Sequence, residues 1–123
     1  MKLLLDTHTV LWWQTEDRRL SKAARKAIAE ADIVWVSAAS GWEVAIKTAL
    51  GRLRLDEPFA VTVAADDLTE LPVTLAHAER LGRLPSHHAD PFDRLLVAQA
   101  LTEGATLVTR DTALGAYGVL VLW

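Results

Sequence analysis

The chain has 123 residues, enough for one domain with a core of its own, and its 51% hydrophobic and 24% charged content suits a soluble globular protein. It contains no cysteine, which excludes disulfides, thiol catalysis and thiolate zinc sites. A formal net charge of −3 leaves no general basic footprint for nucleic acid, so a polyanionic substrate would need bound metal and a local basic patch.

Lys2–Leu5 reads as the first of five short buried strands. Its flanking charges, Lys2 and Asp6, come too early for a signal peptide, and no later run could span a membrane, so the expected location is cytoplasmic. A helical stretch follows with Val10, Leu11, Trp12 and Trp13. A second opens at Ser21, an N-cap residue, and runs Lys22–Ala31 with Ala23, Ala27, Ile28 and Ala31 to one side. Ile33–Ser37 is the second strand, and a third helix starts near Ser37–Ser40 and reaches Leu50, stopped by Gly51. Pro58 begins a weaker helical stretch to about Asp67, then come strand Glu70–Val73 and a short helix Leu75–Leu81. Asp90-Pro91 specifies a helix start, Asp as N-cap and Pro at the first helical position, and Gly104 is its C′ residue. Strands Thr106–Thr109 and Val119–Leu122 complete the chain. Strands alternating with helices predict an α/β fold whose parallel sheet is covered on both faces.

In such a sheet, sites form beyond the carboxyl ends of strands where the strand order reverses. Four acids fall at strand-to-helix passages: Asp6, Glu43, Asp93 and Asp111. Each has a plain structural role open to it. Asp6 can cap the first helix, Ser40-Gly41-Trp42-Glu43 spells a capping box, Asp93 can stabilise a helix N-terminus, and Asp111 can form a turn. Together, and without thiol ligands, they form an oxygen donor set for a hard cation such as Mg²⁺ or Mn²⁺, and they point to metal-assisted phosphodiester chemistry.

Asp90 competes with Asp93 for metal, but its N-cap position accounts for it and leaves at most a supporting role. Thr7 and Thr109 flank acids and can hydrogen-bond a carboxylate or a coordinated water, or simply the backbone. His87-His88 lacks a third nitrogen ligand for zinc and is expected in a loop at the rim of the site. His8 and His77 are expected to be ordinary, partly buried or surface residues, and Trp35 to be core. Trp12 and Trp13 are adjacent and cannot both be central core, so apolar area near them is expected to face a partner. Arg18, Arg19, Lys22, Arg25 and Lys26 read as a solvated helix face. Lys47, Arg52 and Arg54 follow Glu43; Lys47 either pairs with that acid one turn away or contacts phosphate.

Four segments in order carry a resemblance over nearly the whole chain: Leu-Asp-Thr-His-Thr-Val-Leu-Trp-Trp, Ser-Ala-Ala-Ser-Gly-Trp-Glu-Val-Ala-Ile-Lys, Asp-Pro-Phe-Asp-Arg-Leu-Leu-Val-Ala-Gln-Ala and Leu-Val-Thr-Arg-Asp. The sequence resembles the PIN-domain nucleases, and among them the VapC-like toxins of toxin–antitoxin pairs. The resemblance implies a single domain over residues 1–123, with a parallel sheet of order 3-2-1-4-5 between layers of helices. The family's acidic positions fall on Asp6, Glu43, Asp93 and Asp111. It further implies Mg²⁺- or Mn²⁺-dependent cleavage of RNA, a homodimer, and silencing by a cognate antitoxin. Asp6 and Asp93 would hold the principal ion, with Asp111 and Glu43 completing its shell directly or through water. Hydrolysis by activated water would leave a 5′-phosphate and a 3′-hydroxyl, with Lys47, Arg52 or Arg54 positioning the RNA backbone. The alternatives are a PIN nuclease of RNA processing outside toxin systems, a phosphoryl-transfer α/β protein, and a non-catalytic binding module of the same fold. The second of these needs another acid beside Asp6, where Thr7 and His8 stand.

Overall fold

Three consecutive leucines set the middle of the molecule. In the computed structural model, which covers residues 1–123, Leu3, Leu4 and Leu5 are fully buried. They form strand β1 (Lys2–Leu5), which sends alternate side chains to the two faces of a sheet. Leu3 and Leu5 enter one core and Leu4 the other. Truncating Leu4 to Ala would cost about 2–5 kcal/mol, because neither face can collapse onto the gap without disturbing the strand.

The remaining elements follow in order: α1 (Thr7–Gln14), α2 (Lys22–Glu30), β2 (Ile33–Ser37), α3 (Ala38–Ala49), α4 (Phe59–Ala65), β3 (Thr69–Leu71), α5 (Leu75–Gly82), α6 (Pro91–Glu103), β4 (Thr106–Val108), a 3₁₀ turn (Thr112–Tyr117) and β5 (Val121–Leu122). All strand pairs are parallel and the sheet order is β3-β2-β1-β4-β5, as the resemblance implies. The order reverses between β1 and β4, where Leu3, Leu4 and Leu5 pair with Thr106, Leu107 and Val108. One face carries Val10, Leu20, Ala24, Ile28 and Val63 from α1, α2, the loop between them and α4. The other carries Leu96, Val97 and Ala100 of α6 with Leu114, Tyr117 and Val119.

The helix ends obey local chemistry. Ser21 caps α2 by accepting from the Ala24 N–H at 3.0 Å. Asp90 caps α6 through the Phe92 and Asp93 N–H groups, and Gly104 closes that helix at φ 68°, the left-handed region that glycine occupies freely. Strand β3 is shorter than expected because Pro72 has no N–H to donate to a ladder. Strand β5 begins later than expected, after Gly118 turns the chain at φ 84°.

Three other expectations are corrected. Trp12 and Trp13 do not leave a free apolar face; both are partly buried against the first core. Exposed apolar area lies instead along α3, at Trp42 (63% exposed), Ile46 and Leu50, which are spaced one helical turn apart. Trp35 packs on the second core but stays partly exposed. His77 is fully buried. Its Nδ1 accepts from the Thr74 N–H at 3.0 Å, so Nε2 carries the hydrogen and donates to Glu103 at 2.8 Å, fastening α5 to α6.

Candidate active site

Asp6 follows the last residue of β1, and its backbone N–H donates to the Val108 carbonyl of β4 at 3.1 Å. The reversal of strand order therefore fixes it directly. Its Oδ1 accepts from the Thr9 N–H at 2.8 Å, so Asp6 does cap α1, and its second carboxylate oxygen is left for other work. The structural and the chemical roles of this residue are compatible.

Asp111 comes three residues after β4. Thr109 is fully buried, and its Oγ1 accepts from the Asp111 N–H at 3.1 Å, which sets the turn. Asp93 is the third residue of α6 and points to the same edge. Thr7 is buried and donates to Ser40 Oγ at 2.9 Å, tying α1 to α3 and so placing Glu43 relative to Asp6. Neither threonine hydroxyl bonds a carboxylate. Both act on the backbone and helices that carry the acids.

Glu43 is not part of a capping box. Ser37, at the end of β2, is the N-cap and accepts from the Ala39 N–H at 3.0 Å. Ser40 is inside the helix, so Glu43 lies in the second turn of α3 rather than at its start. The capping explanation for this acid falls away. Its carboxylate pairs with Lys47 Nζ at 3.3 Å.

These four acids line one open cleft of about 450 Å³, together with Thr7, His8, Trp12, Arg19, Asp90 and Arg110. Burial pushes the Asp93 carboxyl up to about 6, and Asp90, Asp6 and Glu43 push in the same direction, while His88 pulls it down. Carboxylates packed this closely resist sharing their charge, and a divalent cation relieves that strain. The donor set is hard oxygen, which fits Mg²⁺ or Mn²⁺.

His88, which its sequence context places no nearer than the rim, reaches into the acidic cluster. Its Nε2 lies 3.1 Å from Asp111 Oδ2 and 3.8 Å from Asp93 Oδ2. Ligand atoms of His88, Asp93 and Asp111 fall within 4.8 Å of one another, a spacing that suits a metal. The hydrogen bonds assign the imidazole a different part. Its Nδ1 accepts from the Asp90 N–H at 3.1 Å, so the hydrogen sits on Nε2 and is donated to Asp111. His88 thus orients a carboxylate and, with one ring nitrogen accepting and the other donating, has no free lone pair to offer a metal. The adjacent His87 is used elsewhere, edge-on to Tyr117 with ring centroids 5.0 Å apart.

The three basic residues expected near RNA are arranged differently. Lys47 is engaged by Glu43, and Arg52 and Arg54 are exposed beyond the end of α3, outside the cleft. The cations that line it are Arg19 and Arg110, both set over the Trp12 ring, at 4.9 and 5.9 Å from its centroid. Arg19 is therefore not simply part of a solvated helix face, as its basic neighbours in the sequence suggest.

Residues 3–120 match the PIN domain family model. This chain belongs to the PIN-domain family. Ribonuclease VapC22 of Mycobacterium tuberculosis is 37% identical over 115 residues, covering 91% of this chain and 88% of that protein. The PIN fold is also that of VapBC2 from Rickettsia felis, solved bound to a DNA fragment from their promoter, with a TM-score of 0.75 at 14% identity over 99% of this chain and 98% of that one. DNA-bound VapBC from Salmonella typhimurium gives a TM-score of 0.72 at 16% identity, over 99% of this chain and 97% of that one. This chain is thus similar to Ribonuclease VapC22 in sequence and to the two VapBC structures in fold.

Proposed function

We propose that this PIN-domain chain is an endoribonuclease of the VapC kind, the toxin of a toxin–antitoxin pair, that hydrolyses RNA with Mg²⁺ or Mn²⁺. The observation that carries the reading is the convergence of Asp6, Glu43, Asp93 and Asp111 at the carboxyl edge of the sheet, where β1 meets β4.

Asp6, through its uncommitted oxygen, and Asp93 would hold the principal ion, with Asp111 and Glu43 closing the shell. A divalent cation there supplies Lewis acidity, making water a better nucleophile and neutralising charge on the scissile phosphate. Asp90 holds the first turn of α6 and adds negative charge beside Asp93. His88 holds Asp111 in one orientation through its Nε2 hydrogen. Lys47 limits the charge of Glu43 and keeps that side chain directed along α3. No serine or cysteine nucleophile is needed, so the products would carry 5′-phosphate and 3′-hydroxyl ends.

The same reading takes residues 1–123 as one PIN domain acting in the cytoplasm, as a homodimer, with an antitoxin protein as its inhibitor. No helix is long and apolar enough to cross a membrane. The test is cleavage of a mixed RNA pool by purified protein with Mn²⁺ or Mg²⁺, with EDTA, and with the Asp6→Asn variant. Cleavage that needs the ion and Asp6 supports the proposal. Undiminished cleavage in EDTA, or none under any condition in the absence of antitoxin, refutes it.

A further inference from the structure

A cleft of carboxylates repels the polyanion that it is proposed to cut, so something in its wall must hold RNA phosphate. Lys47 is already paired with Glu43, and Arg52 and Arg54 lie outside the cleft. Arg19 and Arg110 are the basic residues in its lining. Arg19 comes from the turn between α1 and α2, and Arg110 stands between buried Thr109 and the cleft acid Asp111. They meet at one indole, Trp12.

The two arginines differ in what they have left to offer. Arg19 forks onto Asp17, with Nε 3.0 Å from Oδ1 and Nη2 2.8 Å from Oδ2, so its charge is compensated and two donors are used. Arg110 has no carboxylate within ion-pair distance, although Asp111 is its neighbour in the chain and the cleft holds four other acids. Its guanidinium makes no hydrogen bond and rests over Trp12. An exposed cation over an indole gains about 0.5–1 kcal/mol, which is enough to bias where the side chain stands while leaving its N–H donors open. Trp12 is itself fixed by the first core and by the edge of Trp123, ring centroids 5.8 Å apart. The indole is therefore not a free platform for a base; it is a mount for two guanidiniums.

We propose that Arg110, mounted on Trp12 beside Arg19, binds the RNA phosphate adjacent to the scissile one. This inference rests on the ribonuclease reading above. The planar fork of Arg110 matches two phosphate oxygens, and its placement next to Asp111 sets the strand against the acids in one register. Arg19, already neutralised by Asp17, adds a weaker contact. Trp12 is a positioning residue.

The experiment measures binding of a short fluorescein-labelled single-stranded oligoribonucleotide by anisotropy, in the Asp93→Asn background where cleavage is expected to be lost, across a salt series. Arg110→Ala should weaken binding about tenfold, the loss expected for one charged hydrogen-bonded contact. It should also lower the slope of log affinity against log salt by about 0.7, the value for one phosphate contact on a single strand. Arg110→Lys should keep the slope and recover only part of the affinity, and Arg19→Ala should cost less than Arg110→Ala. With Asp93 restored, Arg110→Ala should raise KM with kcat nearly unchanged, leave Mn²⁺ affinity intact, and lower thermal stability by no more than the small contribution of its contact with Trp12. If the parent protein neither binds nor cleaves RNA, the ribonuclease reading fails and this inference falls with it. If the parent cleaves RNA but Arg110→Ala binds it equally, with the same salt slope, the inference alone is overturned. It is overturned as well if that variant instead loses antitoxin binding, or loses stability and Mn²⁺ affinity together.

Discussion

Replacing Asp93 with Asn should make the metal-free protein more stable, and the size of the gain follows from the site. Its carboxyl titrates near 6 rather than at its ordinary 3.8, chiefly because it is buried, then because Asp90, Asp6 and Glu43 repel its charge. A displacement of that size corresponds to about 3 kcal/mol. The side chain is 27% exposed, and solvent screening reduces that to about 1–2 kcal/mol. Asn also forfeits the attraction of a carboxylate to the start of α6, about 0.3–1 kcal/mol, so repulsion still wins by about 1 kcal/mol. The sign with pH is fixed. An acid whose pKa is raised on folding binds more protons folded than unfolded, so the wild type loses stability as pH rises from about 4 to about 6. The variant, without that proton, does not share this loss. Thermal melts in EDTA should therefore show Asp93→Asn higher by about 3–5 °C at about pH 8 and no higher at about pH 4. Saturating Mn²⁺ should reverse the order, since a ligand at 100 times its Kd adds about 2.7 kcal/mol to a protein that binds it. A variant no more stable than wild type at the higher pH, or a gain that ignores pH, would refute the account of the cleft as a site of unrelieved charge.

Other outcomes follow from the same geometry. Glu43→Gln should fold normally and lose RNA cleavage, since no cap depends on this residue; retained cleavage would remove it from the metal shell. His88→Ala should lower Mn²⁺ affinity or activity by about 10–100-fold through the freed Asp111 carboxylate, and an unchanged Mn²⁺ titration would deny the imidazole its orienting part. A metal-free cleft of this charge suits an arginine presented by the antitoxin, so antitoxin and Mn²⁺ should compete at constant ionic strength; antitoxin affinity indifferent to Mn²⁺ and to Asp93→Asn would place the inhibitor elsewhere. Light scattering should show a homodimer that Ile46→Asp dissociates, because Trp42, Ile46 and Leu50 form the exposed apolar run on α3; a dimer that survives the change lies on another face.

How much of the fold and the cleft is legible in the sequence depends on the range of the interactions. Asp90-Pro91 and Gly104 are local signals, and they mark α6 within a residue because capping and left-handed turns are settled by the backbone nearby. The Leu3–Leu5 run and its companions are legible as strands for the same reason. Ser37-Ala38-Ala39-Ser40 shows where local rules stop. It holds two candidate caps, and the choice is made by where β2 ends in the sheet, with Ser37 still in register with Leu71 of β3. The four acids can be placed at one edge from chain order alone, because a parallel sheet puts the ends of its strands together. The Trp12 mount cannot. Arg19 and Arg110 lie far apart in sequence, and only the approach of β4 to β1 brings both guanidiniums to the same ring. His88 is hidden by its neighbour, since two adjacent histidines look alike until their hydrogen bonds are known.

The central place of β1 also sets a schedule for the ribosome. Asp6 is made about a hundred residues before Val108, whose carbonyl fixes its backbone, and Asp111 follows that. At about 5–20 residues per second, several seconds or more separate the synthesis of Asp6 from that of its partners. Throughout that interval the nascent chain has Leu4 without Leu96, Val97 and Leu107, which bury it, and holds only part of its acidic set. A message truncated before Thr106 would yield a chain with no cleft to arm. On the proposed reading as a toxin, this wiring withholds the complete acidic set until β4 and the turn after it have been made.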